Sequence, residues 1–255
     1  MIDLHVHILP GMDDGADTMD ESMEMAELAL DSGVEALVVT PHSNQKGRFE
    51  NYMSPELIQV YKEFCHKLDR EQIPLKIYFG MEIFASDDMA AKIKNRQLVG
   101  LNAGDTYLIE FPFDAEPEWI GERLEDVLDL KKKPLIAHPE RYFCVQDYPE
   151  LVYEWVRMGC LSQLNKGSML GRFGRNVQRA ANILLDNGLV SCVASDAHSS
   201  FRRTTYMADA CDYLESRYSV EYARLLLREN PRRILSGAGI SPHGRIPERR
   251  RRFFW

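Results

Sequence analysis

The sequence predicts an α/β fold built on a parallel sheet that is buried on both faces. Short apolar runs such as Ala36–Thr40 alternate about seven times with longer amphipathic stretches. The apolar runs are continuous rather than alternating with polar residues, and Pro or Gly punctuates their ends. Seven such units suit a closed or distorted barrel as well as an open sheet. In either, the C-terminal ends of the strands share one rim, where active sites are built.

The elements follow in order. Met1–Ile8 reads as a strand. Asp20–Ser32 carries Met23, Ala26, Leu28 and Leu30 at helical spacing and is closed by Gly33. Ala36–Thr40 is a strand ended by Pro41, Pro55–Arg70 a helix, and Leu75–Ile83 a strand. Asp87–Asn95 is a short helix whose early acids suit the helix dipole. Tyr107–Phe111 is a strand stopped by Pro112, and Pro117–Lys132 a helix with Pro near its start. Pro134–His138 is a strand stopped by Pro139. Pro149–Met158 is a helix closed by Gly159, Leu161–Asn165 a strand, and Asn176–Asn187 a helix stopped at Gly188. Leu189–Ser195 is the last strand, followed by helices at Thr205–Arg217 and Val220–Arg228.

Composition narrows the function. A 45% hydrophobic content over 255 residues supports a sizeable core, and a net charge of -8 offers no broad basic face for nucleic acid. The five cysteines form no CxxC pair, which points to reduced thiols in a cytosol. MIDLHVHILP is not a signal peptide, and no apolar run approaches the ~20 residues of a membrane helix. A soluble, cytoplasmic protein is expected.

The strand ends carry the chemistry. His5 and His7 end the first, with Asp13 and Asp14 in the following loop. His42 follows the second, Glu82 the third, Glu110 the fourth and His138 the fifth. Asp196 and His198 follow the seventh. Side chains two apart on a strand share a face, so His5-x-His7 and Asp196-x-His198 each present a pair. Imidazole mixed with carboxylate suits Mn²⁺, Fe²⁺ or Zn²⁺. Each piece has a plainer reading: a core histidine, a turn at Asp13-Asp14-Gly15, salt-bridge partners at Glu82 and Glu110. Recurrence at one strand end is what favours a metal cluster.

Taken in order, these residues resemble the PHP (polymerase and histidinol phosphatase) superfamily, and more closely its CpsB/CapC-type tyrosine-protein phosphatases. The resemblance rests on His5-Val6-His7 through Asp13-Asp14-Gly15, Thr40-Pro41-His42, Gly80-Met81-Glu82-Ile83, Leu108-Ile109-Glu110-Phe111, His138-Pro139-Glu140-Arg141-Tyr142 and Ser195-Asp196-Ala197-His198. It implies a distorted (β/α)7 barrel of the PHP type with three metal ions, often manganese, with iron or zinc as alternatives. By position, one ion would take His5, His7, Glu82 and Asp196. A second would take Glu82, Glu110 and His138. A third would take Asp14, His42 and His198, with Asp13 as the rival for Asp14's place. The wider superfamily often has histidines where this chain has Asp14 and Glu110, which favours the CpsB/CapC branch.

The resemblance also implies phosphotyrosine hydrolysis by a metal-bound hydroxide, on a protein substrate such as a bacterial tyrosine kinase that controls capsule or exopolysaccharide synthesis. Arg141 and Arg203 would meet the phosphate, with Arg202 adjacent to the second, and His198 or a water would supply a proton. Alternatives are a small phosphomonoester substrate of the histidinol phosphate kind and a non-catalytic module whose metals support a partner surface. Cys211–Arg217 matches Cys-x5-Arg spacing, but Asp212, Tyr213, Leu214, Glu215 and Ser216 lack the glycines of a phosphate loop and bring two acids. Arg48 and the rings of Phe49 and Tyr52 offer a place for a phosphotyrosine ring, with ordinary packing the competing reading. The domain is expected to span 1–240. Residues 241–255 form a basic and aromatic tail, with Arg249–Arg252 beside Phe253, Phe254 and Trp255, either disordered or in contact with an anionic membrane surface.

Overall fold

A computed structural model describes residues 1–240 and 244–245. Its strands are β1 (Ile2–Val6), β2 (Ala36–Val39), β3 (His42–Ser43), β4 (Lys76–Phe79), β5 (Glu82–Phe84), β6 (Thr106–Glu110), β7 (Lys133–Ala137), β8 (Leu161–Asn165) and β9 (Cys192–Ala194). All adjacent pairs are parallel. They form a sheet of order β1-β2-β4 and another of order β3-β5-β6-β7-β8-β9.

The two sheets are one surface broken across two strands. β2 leads into β3 across Thr40-Pro41, where proline has no N–H for the ladder. β4 leads into β5 across Gly80-Met81. A Cβ on Gly80 would lie 2.7 Å from the Leu101 side chain, so only glycine fits this break without displacing that neighbour. Hydrogen bonds from His7 N to Ala197 O and from Asp196 N to His5 O, both 2.9 Å, join β1 to the end of β9. A parallel bridge links Val6 and Ala197. Seven strand paths thus run around a distorted barrel whose seam is a few bonds rather than a full ladder.

Strand periodicity then separates core from site. Val38, Leu108, Leu135 and Cys192 belong to one buried apolar cluster, closed by Leu101 and Ile234. Two residues further along β6, the same face presents Glu110. Along β8, Leu161 is followed at the same spacing by Gln163 and Asn165. The intervening residues Leu37, Ile109, Ile136 and Val193 pack in the larger cluster with helical Phe64, Leu124, Trp155 and Leu184.

The helices start and stop as their residues dictate. Thr18, Ser54 and Ser219 cap Met19–Asp31, Pro55–Arg70 and Val220–Arg224 by accepting backbone N–H bonds. Gly159 closes Glu150–Met158 in the left-handed conformation. Some expectations need correction. Leu75–Ile83 is not one strand but two, β4 and β5, parted at Gly80-Met81. The last strand is shorter than Leu189–Ser195, because Leu189 N bonds back to Leu184 O and finishes the preceding helix. Val220–Arg228 is not one α-helix: a π turn at Leu225–Glu229 precedes Asn230–Leu235, whose second residue is Pro231. Short helices at Phe143–Asp147 and Lys166–Met169 were not expected. Of the proposed tail, Arg245 bonds from its backbone N to Asn187 O at 3.0 Å; Ser241–His243 and Ile246–Trp255 lie outside the described residues.

Tyr142 ties the rim to the barrel. Fully buried, it donates its hydroxyl to Ala137 O at 2.7 Å and accepts the Phe111 N–H at 3.1 Å, linking the ends of β6 and β7. Tyr142→Phe should lower unfolding free energy by about 1–3 kcal/mol, because the Phe111 N–H is left buried and unpaired. Urea titration of variant and parent checks this; an unchanged midpoint would remove Tyr142 from the support of the rim.

Candidate metal centre

Glu82 opens β5 at the centre of the rim, fully buried, and four imidazoles surround its carboxylate. Oε1 lies 3.1 Å from both His5 Nε2 and His138 Nε2. Oε2 lies 3.2 Å from His7 Nε2 and 2.8 Å from His42 Nδ1. Asp196 Oδ1 is 3.5 Å from the Nε2 atoms of both His5 and His7. Asp14 Oδ1 sits between His42 Nε2 and His198 Nε2 at 3.4 and 3.5 Å. Glu110 completes the ring, 3.6 Å from both His138 Nε2 and His42 Nδ1.

Many of these approaches are not hydrogen bonds. His5 and His7 aim Nε2 at Nε2 across 3.1 Å. Among the described residues, His42 Nδ1 and Glu82 Oε2 are buried and make no hydrogen bond, although they are only 2.8 Å apart. Lone pairs converging in this way fit a shared cation. Within the cluster, four sets have donor atoms within 4.8 Å of one another: His7, Asp14, His42 and His198; His5, His7 and Asp196; His5, Glu82 and His138; His42, Glu82 and Glu110.

Groups behind the ring aim it. His5 Nδ1 donates to Gln163 Oε1 at 2.9 Å, His7 Nδ1 to Asp13 Oδ2 at 2.7 Å, and His198 Nδ1 to Asp196 O at 3.0 Å. Each acceptor fixes the tautomer and turns an Nε2 inward. Asp13 also accepts the His42 and Gly15 N–H groups at 2.8 and 2.9 Å. Gly15 has no room for a side chain, since a Cβ would lie 2.1 Å from His7 O. Gln163 Nε2 donates to Asn165 Oδ1 at 2.8 Å, and Asn165 Nδ2 donates to Asp196 Oδ2. His138 and Asp196 both adopt positive φ, 34° and 50°, a strained backbone for non-glycine residues.

The electrostatics call for more positive charge than the protein supplies. Burial opposes ionisation of Glu82, yet His5 and His42 hold its pKa well below the usual range. Glu110 is pushed up to about 8, by burial first and then by the Glu82 charge. Burial lowers His138 to about 4. His7 is raised well above its ordinary value because Asp13 and other acids outweigh its burial. Protons must neutralise what divalent cations would neutralise better. The donor set therefore fits a metal cluster.

The structure brings together every candidate metal ligand: His5, His7, Asp14, His42, Glu82, Glu110, His138, Asp196 and His198. Asp14 reaches into the cluster, whereas Asp13 lies behind it. The sets of converging donors overlap the expected groups, with His7 also near the Asp14 set and His5 also near Glu82 and His138. Arg141 and Arg203 both reach the rim, where each contacts Asp196 Oδ2, Arg141 at 3.5 Å. Arg202 is exposed and does not line the cavity. Phe49 stacks on His42 at 5.5 Å instead of facing the cavity, while Arg48 pairs with Asp14 at 3.1 Å. Cys211 lies in the helix Ala208–Arg217, away from the site. Gln163 and Asn165 escaped the sequence reading because amides are weak metal signals, although both end a strand at the rim.

The comparisons with known proteins agree with this geometry. The family model for capsular polysaccharide synthesis, CpsB/CapC, matches residues 1–236. Tyrosine-protein phosphatase YwqE of Bacillus subtilis is 35% identical over 255 residues, covering 100% of this chain and 99% of the relative. Tyrosine-protein phosphatase CpsB of Streptococcus agalactiae serotype V is 34% identical over 243 residues, covering 92% and 98%. A chain from the crystal structures of YwqE and of CpsB from Streptococcus pneumoniae, described as unique metal-dependent tyrosine phosphatases, superposes with a TM-score of 0.90. It is 34% identical and covers 98% of this chain and 100% of that one. An organophosphorus hydrolase from Deinococcus radiodurans shares the fold alone, at a TM-score of 0.60 and 13% identity, with 92% of each chain covered. The chain belongs to the CpsB/CapC family of capsular polysaccharide synthesis.

Proposed function

We propose that this chain is a protein-tyrosine phosphatase, a phosphoric monoester hydrolase that depends on a cluster of divalent cations. The convergence of nine imidazole and carboxylate side chains around buried Glu82 carries the reading. The metal ligands are His5, His7, Asp14, His42, Glu82, Glu110, His138, Asp196 and His198; their mixed donors suit Mn²⁺, Fe²⁺ or Zn²⁺, and the family resemblance favours three ions of manganese. When bound, such ions supply Lewis acidity, a nucleophile from water at neutral pH, and charge for the phosphoryl oxygens.

The remaining residues suit the rest of the reaction. Arg141 and Arg203 line a cavity of about 230 Å³ above the cluster. Arg203 has a buried Nε–H with no partner among the described residues, and its side chain lines the cavity. Guanidinium forks match phosphate geometry. Phe84, Phe111 and Phe113 form an apolar wall of the same cavity and fit a phenyl ring. A tyrosyl oxygen, with a pKa near 10, leaves with little help from an acid, so a proton from His198 or from water suffices. The family's tie to capsular polysaccharide synthesis supports a bacterial tyrosine kinase of that process as the substrate protein, in the cytoplasm. Among the described residues no helix is long and apolar enough to cross a membrane.

Steady-state assays with manganese on a phosphotyrosine peptide, histidinol phosphate and a phosphodiester test the substrate class. Preference for histidinol phosphate would replace the proposal with a small-molecule phosphatase. Loss of more than about a hundredfold in kcat/KM is expected for His5→Ala and Asp196→Ala, with Cys211→Ser at parental activity. Activity that survives both alanine changes would exclude the metal mechanism.

Chelation should abolish turnover, and added Mn²⁺ should restore it. The same titration should raise the thermal midpoint, because ions that bind only the folded state add about 2.7 kcal/mol per site at a hundred times Kd. Calorimetry checks this apart from catalysis. A midpoint indifferent to metal would refute the cluster.

A further inference from the structure

Beside the metal cavity lies a second groove of about 510 Å³, and the two share Phe113 and Arg141. Its floor is aromatic. The Arg141 guanidinium is sandwiched between the rings of Phe113 and Phe173, 4.4 and 4.7 Å from their centroids. Phe173 rests on Gly167, where a Cβ would lie 2.8 Å from the ring. Phe143, at 58% exposure, turns another ring into the groove. A cation held between two rings couples the groove to the phosphate cavity: whatever presses on Phe113 or Phe173 also bears on Arg141.

The groove is also cationic. In a chain of net charge -8 it is lined by Arg141 and Arg175 and by no acid. Arg175 opens the helix Arg175–Asp186, is exposed, and has no ion-pair partner among the described residues. A cation there opposes the helix dipole, and the first turn holds no acid to offset it. The arrangement costs stability and creates a positive surface beside the phosphate cavity.

We propose that this groove seats the polypeptide flanking the phosphotyrosine, and that it selects acidic residues there: Arg175 attracts the carboxylates while Phe143 and Phe173 cover the backbone. The inference rests on the tyrosine-phosphatase reading and adds a peptide subsite to it. Free phosphotyrosine reaches only the metal cavity. A phosphopeptide reaches both.

The test uses the manganese-loaded protein and fluorescent peptides with a non-hydrolysable phosphonate in place of phosphotyrosine, flanked on both sides by Asp and Glu or by Lys. Fluorescence anisotropy should show the acidic peptide binding at least about fivefold more tightly at low salt. R175E should erase that preference while leaving kcat/KM for free phosphotyrosine unchanged. Its folding is not at risk, since an acid suits that helix position better than arginine. Arg224→Glu, on another helix, should keep the preference. Equal affinity of the two peptides, or a preference that survives R175E, overturns the subsite. Binding of neither peptide, with no turnover of free phosphotyrosine, overturns instead the function on which it rests.

Discussion

The structure is organised around one buried carboxylate. Glu82 is shut away from water, and an isolated buried charge costs several kcal/mol unless compensated. Four histidines from three strand ends supply that compensation: His5 and His7 at the end of β1, His42 at the start of β3 and His138 after β7. Across the interruptions at Thr40-Pro41 and Gly80-Met81, the short β3 and β5 lie side by side with His42 opposite Glu82. The register that pairs Val39 with Phe79 before the interruptions continues after them, so both strands resume in step and deliver His42 to the Glu82 carboxylate.

The same constraint explains the polar groups behind the ring. Imidazoles crowded on one carboxylate would rotate to satisfy themselves unless their other nitrogens were held. Gln163 and Asp13 hold two of them, His5 and His7, and the Asp196 carbonyl holds the neighbouring His198. The chain from His5 through Gln163 and Asn165 to Asp196 joins β1, β8 and the end of β9, so a barrel seam with few backbone bonds gains side-chain ones. Asp3 strengthens it further, accepting the Ser195 N–H at 3.0 Å from inside the core.

Much of this was legible in the sequence, for identifiable reasons. The strands could be read because buried parallel strands are short apolar runs, and the ligands because His, Asp and Glu recurred at their ends. The helix Pro55–Arg70 matched to the residue, since Ser54 caps it and Pro55 starts it. The choice between Asp13 and Asp14 could not be read. Neighbours in a turn differ only in which way the backbone points them, and that is set by Gly15 packing against the His7 carbonyl. Gln163 and Asn165 were equally invisible, because an amide at a strand end has no chemical signature until its partners are known. The π turn before Pro231 is likewise a tertiary outcome that helical periodicity conceals.

Strain at the rim shows how the surrounding fold is used. His138 and Asp196 occupy left-handed backbone, at a cost on the order of 1–2 kcal/mol each. In extended conformation each would carry its side chain along the strand rather than turn it over the barrel mouth. Both turns are held from outside: Arg141 N bonds to His138 O at 3.0 Å, and Ala197 N bonds to Ser195 Oγ at 3.2 Å. Tyr142 locks the first against β6 and β7, and the seam locks the second. An α/β barrel shared at 13% identity with an organophosphorus hydrolase therefore accounts for the rim but not for its chemistry. That depends on side chains forced into two costly turns, and the core beneath them must be stable enough to keep them there.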